Sequence, residues 1–505
     1  MRFYRSTLLF LLGTIPLLGY SQTDSTSLGF IPNYIELGGL ANTDDHTPFW
    51  LQTNQFGTVP RSGSALLVRG GFQHSWLLSK PDTVKQWRKQ LVGTSTPERA
   101  WRLETGVEIA ANVGNSAQDV LLPQAYGAIR YGNWELRVGR RKQWVGLADS
   151  TLGTGSYAWS GNALPIPKIQ LGLTRFTAVP FTKGWFSVLG FYSDGWFEKG
   201  RAVTSELKFH QKQFYGRIGK ANSKLKLYGG FNHQVQWGGK SPYETVNGQM
   251  PNGFKNYMVM IFGGGKVDTV NATHFDNANR VGNHLGSIDF AFEINGLHSN
   301  WFFYRQNIYE DGSLYRLTNI ADGLNGVRIR RKQANKNRFS ISEIVLEGLY
   351  TKSQGGDTFI FDQRIFGKDN YFNNAQVRDG WSYFGRTIGT PFITPTFETI
   401  WKFPNFGDSF TSNNRVWVLH TGLRGTFSRN VEWSTKLSYS SNNGVYDLPF
   451  PNTAYQFSGL LRVQVRTGWL GGNTLLTGSV AADSGDLYPN SYGLMLSLRK
   501  EGLFR

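Results

Sequence analysis

The residues best equipped for chemistry lie between Gly139 and Pro165. The run Gly139 to Gly146 reads GRRKQWVG, and Asp149 follows it. Gly153 to Pro165 then reads GTGSYAWSGNALP. Arg140, Arg141 and Lys142 form a dense basic cluster, and planar guanidinium groups grip carboxylates in bidentate fashion. Trp144, Tyr157 and Trp159 offer flat apolar faces against which sugar C–H groups can lie, leaving polar edges free to hydrogen-bond. Asp149 and Asn162 add polar partners. Together these eight residues suit a polymer of acidic sugars. A second reading stays open on the residues alone: Arg140, Arg141 and Lys142 pair with acids such as Glu104, Glu108 and Glu135, and the aromatics serve packing.

Other chemistries find little support. With no cysteine in 505 residues, the chain has no disulfide scaffold, thiol nucleophile or thiolate-held metal. Its eight histidines show no HExxH or other tight ligand spacing, and no serine sits in a G-x-S-x-G elbow. The stretch Gly263 to Lys266 (GGGK) lacks the Ser or Thr of a phosphate loop, because Val267 stands there. Asp268, Asp276, Asn277 and Asn279 could surround Ca²⁺, but without an EF-hand pattern. The expectation is a protein with no catalytic residues, no metal and no cofactor.

The elements that position the basic cluster are read from alternation. From Arg102, one face carries Leu103, Thr105, Val107, Ile109, Ala111 and Val113, while Glu104, Gly106, Glu108 and Ala110 occupy the other. Ile129 and Tyr131 lead through Gly132 and Asn133 into Trp134, Leu136 and Val138, a two-residue hairpin. The same period recurs at 224–231, 288–295, 431–439, 457–465 and 492–498. Each run is about ten residues, the length of a tilted transmembrane strand. Many begin or end in an aromatic residue, as girdles at the two membrane interfaces require.

Composition agrees. Aromatics make up 15% of the chain, glycine 60 residues and charged residues only 17%, while the mean hydropathy of −0.34 is too polar for a bundle of membrane helices. An open sheet edge in lipid would leave backbone groups unpaired, so the strands must close on themselves. The fold class is therefore all-β: a transmembrane antiparallel β-barrel. About 484 residues at roughly 27 per strand and connection give about 16–18 strands. The candidate long loops are 146–168, 238–283, 354–378 and 439–454.

Met1 to Ser21 reads as a signal peptide, with Arg2 and Arg5 before the apolar stretch Leu8 to Leu18 and small residues at Gly19 and Ser21. The expected organisation is a signal peptide over 1–21 and an outer-membrane barrel over 22–505. Lys80 to Gln90 is readable as a short basic helix, within a helical periplasmic insert over 79–100. The net charge of +18 fits an anionic surface polymer or lipid headgroups. Basic runs are too scattered for a nucleic-acid module.

Four stretches together resemble the capsule assembly proteins of the Wzi type. They are Gly139 to Gly146 continuing through Ser160 to Ile169, Pro48 to Trp50 with Asn54 to Gly57, Asn232 to Gly239, and Glu347 to Gln354. Their order along most of the chain carries the likeness more than any one of them. The resemblance implies an 18-stranded outer-membrane barrel with a periplasm-facing helical element. It also implies lectin behaviour, associating with capsular polysaccharide and attaching or organising it at the cell surface, with no hydrolytic or transferase activity. The expected partners are a capsular or other anionic surface polysaccharide and outer-membrane lipid, with the protein a monomer. The alternative is a porin or sugar-selective channel. Nothing in the resemblance transfers a binding site residue by residue, so the eight residues above stand on their chemistry.

Overall fold

The computed structural model describes residues 33–79, 100–114, 118–262, 272–273, 276, 281–310, 317–335, 337–360 and 365–503. The expected signal peptide, the helix at 80–90 and the GGGK stretch lie outside them.

The alternation predicted at 102–113 is present and inverted relative to a soluble protein. Val107, Ile109 and Val113 are 45–54% exposed, whereas Glu104 and Glu108 are at most 4% exposed. Apolar side chains outside and carboxylates inside are what a wall between lipid and a polar bore requires.

Eighteen strands build that wall. They are β1 (Tyr34–Asn42), β2 (Ala65–Leu77), β3 (Trp101–Gly114), β4 (Gln118–Tyr131), β5 (Trp134–Arg140) and β6 (Lys168–Leu173). Next come β7 (Phe186–Trp196), β8 (Lys208–Ile218), β9 (Leu225–Trp237), β10 (Asn283–Asn295), β11 (Ser299–Glu310) and β12 (Gly323–Arg331). The last six are β13 (Ser340–Tyr350), β14 (Val416–Ser428), β15 (Val431–Gly444), β16 (Pro449–Thr467), β17 (Thr474–Gly485) and β18 (Ser491–Glu501). Each pairs antiparallel with its neighbour in the chain. β1 then pairs with β18, from Tyr34 opposite Glu501 to Asn42 opposite Gly493, and this closes the cylinder. Among the described residues no helix is long and apolar enough to cross a membrane; the crossing is made by strands.

The two ends differ. The end that holds Tyr34 and Glu501 is joined by short turns such as Gly132–Asn133 and Arg429–Asn430. The other carries the long connections 43–64, 141–167, 238–282 and 351–415. In outer-membrane barrels the short turns face the periplasm and the long loops the outside. Exposed Trp76, Trp101, Tyr131, Trp134, Trp301 and Trp469 ring the turn end, and Tyr192, Trp196, Tyr455 and Tyr492 ring the loop end.

Two loop assignments change. The expected loop at 439–454 is mostly strand: Tyr439 pairs with Phe457 and Asn442 with Ala454, leaving only 445–448 as the connection. Ser440 and Asn442 look like turn residues, yet they are buried against the interior and hydrogen-bonded there, with the Asn442 amide donating to the Ser440 hydroxyl and the Ala454 carbonyl, both at 3.0 Å. The expected loop at 354–378 instead runs to 415. The connection 238–282 contains a nine-residue helix, α2 (Phe254–Phe262), preceded in the chain by the short α1 (Phe49–Gln52).

Candidate functional site

The long connections do not stay outside. Segments 43–64, 141–167 and 379–415 turn back into the barrel, and buried backbone there needs partners. Polar side chains on the wall strands supply them. The Gln234 and Gln236 amides donate to the Ala158 and Gly380 carbonyls, and the Asp289 carboxylate accepts from the Leu147 N–H at 2.8 Å. Gln306 accepts from the Tyr157 N–H, Glu347 from the Thr154 N–H, and Asp483 from the Phe49 N–H. The Trp50 indole donates to Ser438. The segments also bind each other: the Thr390 N–H donates to the Tyr157 carbonyl at 2.7 Å and the Ser160 hydroxyl to the Gly389 carbonyl at 2.6 Å. Buried Trp50, Tyr157, Phe372, Trp381 and Phe392 complete an apolar core at the centre of the bore. The barrel is thus filled by its own loops.

The structure divides the eight residues picked out by type and spacing. Arg141 is buried, donating two hydrogen bonds to Glu135 at 2.7 and 2.9 Å, with Glu104 at 3.8 Å. Burial disfavours its charge, but Glu135 outweighs that and holds the guanidinium above its ordinary value. Lys142 Nζ lies 2.5 Å from Glu108; burial draws its ammonium below the ordinary range, a shift Glu108 only partly offsets. For these two cations, pairing with luminal acids is what the molecule does.

Asp149 is fully buried and caps the turn that follows it, accepting from the N–H groups of Thr151, Leu152 and Gly153. Burial works to raise its carboxyl, and Arg328 at 4.0 Å with those N–H groups overcomes it, leaving the group below its ordinary value. Tyr157 is packed against Tyr371 and Phe372, and burial pushes its hydroxyl far up. Trp159 packs at a tilt against Phe209 and donates to the Gln143 carbonyl. Asn162 accepts from the Asn54 N–H and donates to the Thr387 carbonyl. Arg141, Asp149, Tyr157, Trp159 and Asn162 therefore belong to the interior of the plug, away from any surface a polymer reaches. Trp144 is half-buried and meets Phe56 edge-on.

Arg140 alone of the basic run reaches the loop end. Its Nη2 donates to the Tyr383 hydroxyl at 2.7 Å, and its guanidinium carbon lies 6.0 Å from the Phe384 ring centre. Beside it a cleft of about 300 Å³ is lined by Arg61, Glu198, Arg201, Phe384, Phe397 and Phe406. Arg61 lies over the Phe397 ring at 4.8 Å and donates to the Gly385 carbonyl. Arg201 is held by Asp379 at 3.4 Å.

The cleft hangs on a small hairpin in which Ser382 pairs with Thr387 and Tyr383 with Arg386. Its two turn residues, Phe384 and Gly385, both have positive φ, 49° and 67°. Glycine takes that conformation freely, whereas a bulky aromatic does so at a cost of about 1–2 kcal/mol. The turn leaves the Phe384 ring 51% exposed, and Phe397 is 42% exposed. Sequence reasoning passed over 379–406 because the run has no strand period and no clustered charge; its only signal is the density of aromatics, Gly and Pro.

Among the described residues no three His, Asp or Glu side chains converge as metal ligands. Of the possible Ca²⁺ residues only Asp276 is described, and its carboxylate accepts from Thr273 and Gln376.

Closed wall, girdled ends and a loop-filled bore define a protein of the outer membrane, a β-barrel whose interior is occupied by its own chain. The family model for the capsule assembly protein Wzi matches residues 51–394, more than half of the chain, and the protein belongs to that family. Among solved structures, Wzi of Escherichia coli superposes with a TM-score of 0.57 at 16% identity, covering 92% of this chain and 84% of that one. It is described as an outer membrane protein involved in group 1 capsule assembly and as a carbohydrate-binding β-barrel. OpdQ of Pseudomonas aeruginosa aligns over 93% of this chain and 97% of its own, at 8% identity and a TM-score of 0.42. No curated protein sequence matches.

Proposed function

We propose that this protein is a non-enzymatic lectin that binds an anionic surface or capsular polysaccharide at the loop end and holds it at the outer membrane. The observation that carries the reading is the pairing of exposed aromatic rings, Phe384 and Phe397, with Arg61 and Arg140. Flat rings suit sugar C–H faces, and guanidinium groups suit the carboxylates of acidic sugars. The filled bore favours retention over passage of a solute. The family's role in capsule assembly and the carbohydrate binding of the E. coli structure support the same reading. A polymer makes many weak contacts, each later one effectively intramolecular, so modest single sites suffice.

The test is binding of the detergent-folded protein to the surface polysaccharide of its own cell across a salt series. Saturable binding that weakens with salt is expected. Absence of binding at low salt by a folded barrel, together with strong conductance, would turn the reading to a porin.

A further inference from the structure

Below the plug, in the turn-end half of the barrel, lies a second cavity of about 580 Å³. Its roof is plug: Trp50, Asn54, Phe56, Lys142 and Trp144. Its wall includes Arg69, Arg424, Arg462 and Arg499, with Lys436. Only three acids line it, Glu36, Glu108 and Glu432, against six basic side chains. Glu108 is engaged by Lys142 at 2.5 Å and Glu36 lies 3.6 Å from Arg69. Arg424 faces Glu343 at 3.6 Å and Arg499 faces Glu501 at 3.2 Å, both outside the cavity lining.

Two cations are left over. Among the described residues neither Arg462 nor Lys436 has a carboxylate within 4.0 Å; Arg462 reaches the Ser479 hydroxyl, and Lys436 the Gly153 carbonyl and the Trp50 ring, 4.4 Å from its centre. Arg462 stands between Ser434 on β15 and Ser479 on β17, short side chains that leave space around it. On the adjoining strands β18, β1 and β2, Arg499, Glu36 and Arg69 are in register, and Arg69 Nε and Nη2 are buried without a hydrogen-bond partner. Trp144, with the Phe56 ring edge-on to it, adds an apolar face to the same space.

We infer that this cavity is a second binding site, for a short carboxylated saccharide. A surplus of guanidinium groups in a partly enclosed space favours an anion, and the Trp144 indole face selects a sugar over a bare ion. The volume falls within the roughly 300–1,000 Å³ of small-ligand pockets. The site uses Lys142 and Trp144, which the outer cleft does not, and does not depend on polysaccharide binding at the loop end.

The test is titration of the detergent-folded protein with a galacturonate trisaccharide, read by tryptophan fluorescence, beside the neutral galactose trisaccharide and inorganic phosphate. A saturable change with the uronate, at least tenfold weaker with the neutral sugar and with phosphate, is expected. Arg462→Gln should weaken it tenfold or more. Should that variant misfold, Ser479→Glu places a carboxylate beside Arg462 and should do the same. Phe384→Ala, in the outer cleft, should leave this titration unchanged. No saturable response, a response equal for phosphate, or one indifferent to both Arg462→Gln and Ser479→Glu overturns the inference.

Discussion

Arg140 Nη2 donates a 2.7 Å hydrogen bond to the Tyr383 hydroxyl, tying the loop end of β5 to the hairpin that presents Phe384. The two residues are 243 positions apart in the chain. The contact joins the one outward-reaching member of the basic run to the exposed aromatic turn, so the two lie side by side at the loop end.

Arg140→Ala and Phe384→Ala are each expected to weaken polysaccharide binding about 10- to 30-fold, the effect of losing an aromatic or Arg anchor worth roughly 2 kcal/mol. Phe384→Gly separates binding from folding. Glycine relieves the positive-φ cost of about 1–2 kcal/mol, so thermal stability should hold or rise while binding still falls. Equilibrium binding and thermal unfolding, measured on the same preparations, check both.

Arg141→Ala should act on stability instead. It leaves Glu135 with less compensation in a buried setting, a loss of about 3 kcal/mol, moderated because Arg130 remains 2.6 Å from the same carboxylate. A lowered unfolding midpoint with polysaccharide affinity retained is expected. Loss of affinity at full stability would place Arg141 in the binding machinery after all.

The bore is filled, so the intact protein should show little conductance in a planar bilayer. Replacing 146–163 by a short Gly-Ser linker removes the segment held by Gln234, Asp289, Gln306 and Glu347. Large steady conductance steps are then expected. If the intact protein already conducts like an open pore, the plug does not seal the barrel.

Asp149 makes the plug sensitive to acid. Its folded carboxyl sits below the ordinary value of about 3.9, so the folded state binds fewer protons than the unfolded one. The stability it contributes is fully present above that pH and is lost as pH falls through its lower folded value. Protease susceptibility of segment 141–167 should therefore rise steeply in that acid range. Asp149→Asn should abolish the acid-dependent step and leave the segment equally susceptible on either side of it.

The strands were legible where alternation was strict. Val107 beside Glu108 identifies an outer and an inner face because neighbouring residues on a strand point oppositely, and the structure sets the first toward lipid and the second into the bore. The same rule misread 439–454. Ser440 and Asn442 carry no signal of a strand because they face the plug, where polar partners replace lipid, and Ser441 between them is no apolar marker of the outer face.

What the chain alone determined is the barrel. Period-two segments of membrane-crossing length, with charges on one face, have a stable arrangement only when every edge is paired. What tertiary structure alone decided is which loop residues meet. Arg140, Arg141 and Lys142 are adjacent in sequence and alike in charge, yet one meets Tyr383, one Glu135 and one Glu108. Their fates depend on how a long connection folds inside a closed wall, against partners 6, 34 and 243 positions away. No local period encodes that choice, because it is set by satisfying buried charges and backbone groups over the whole lumen at once.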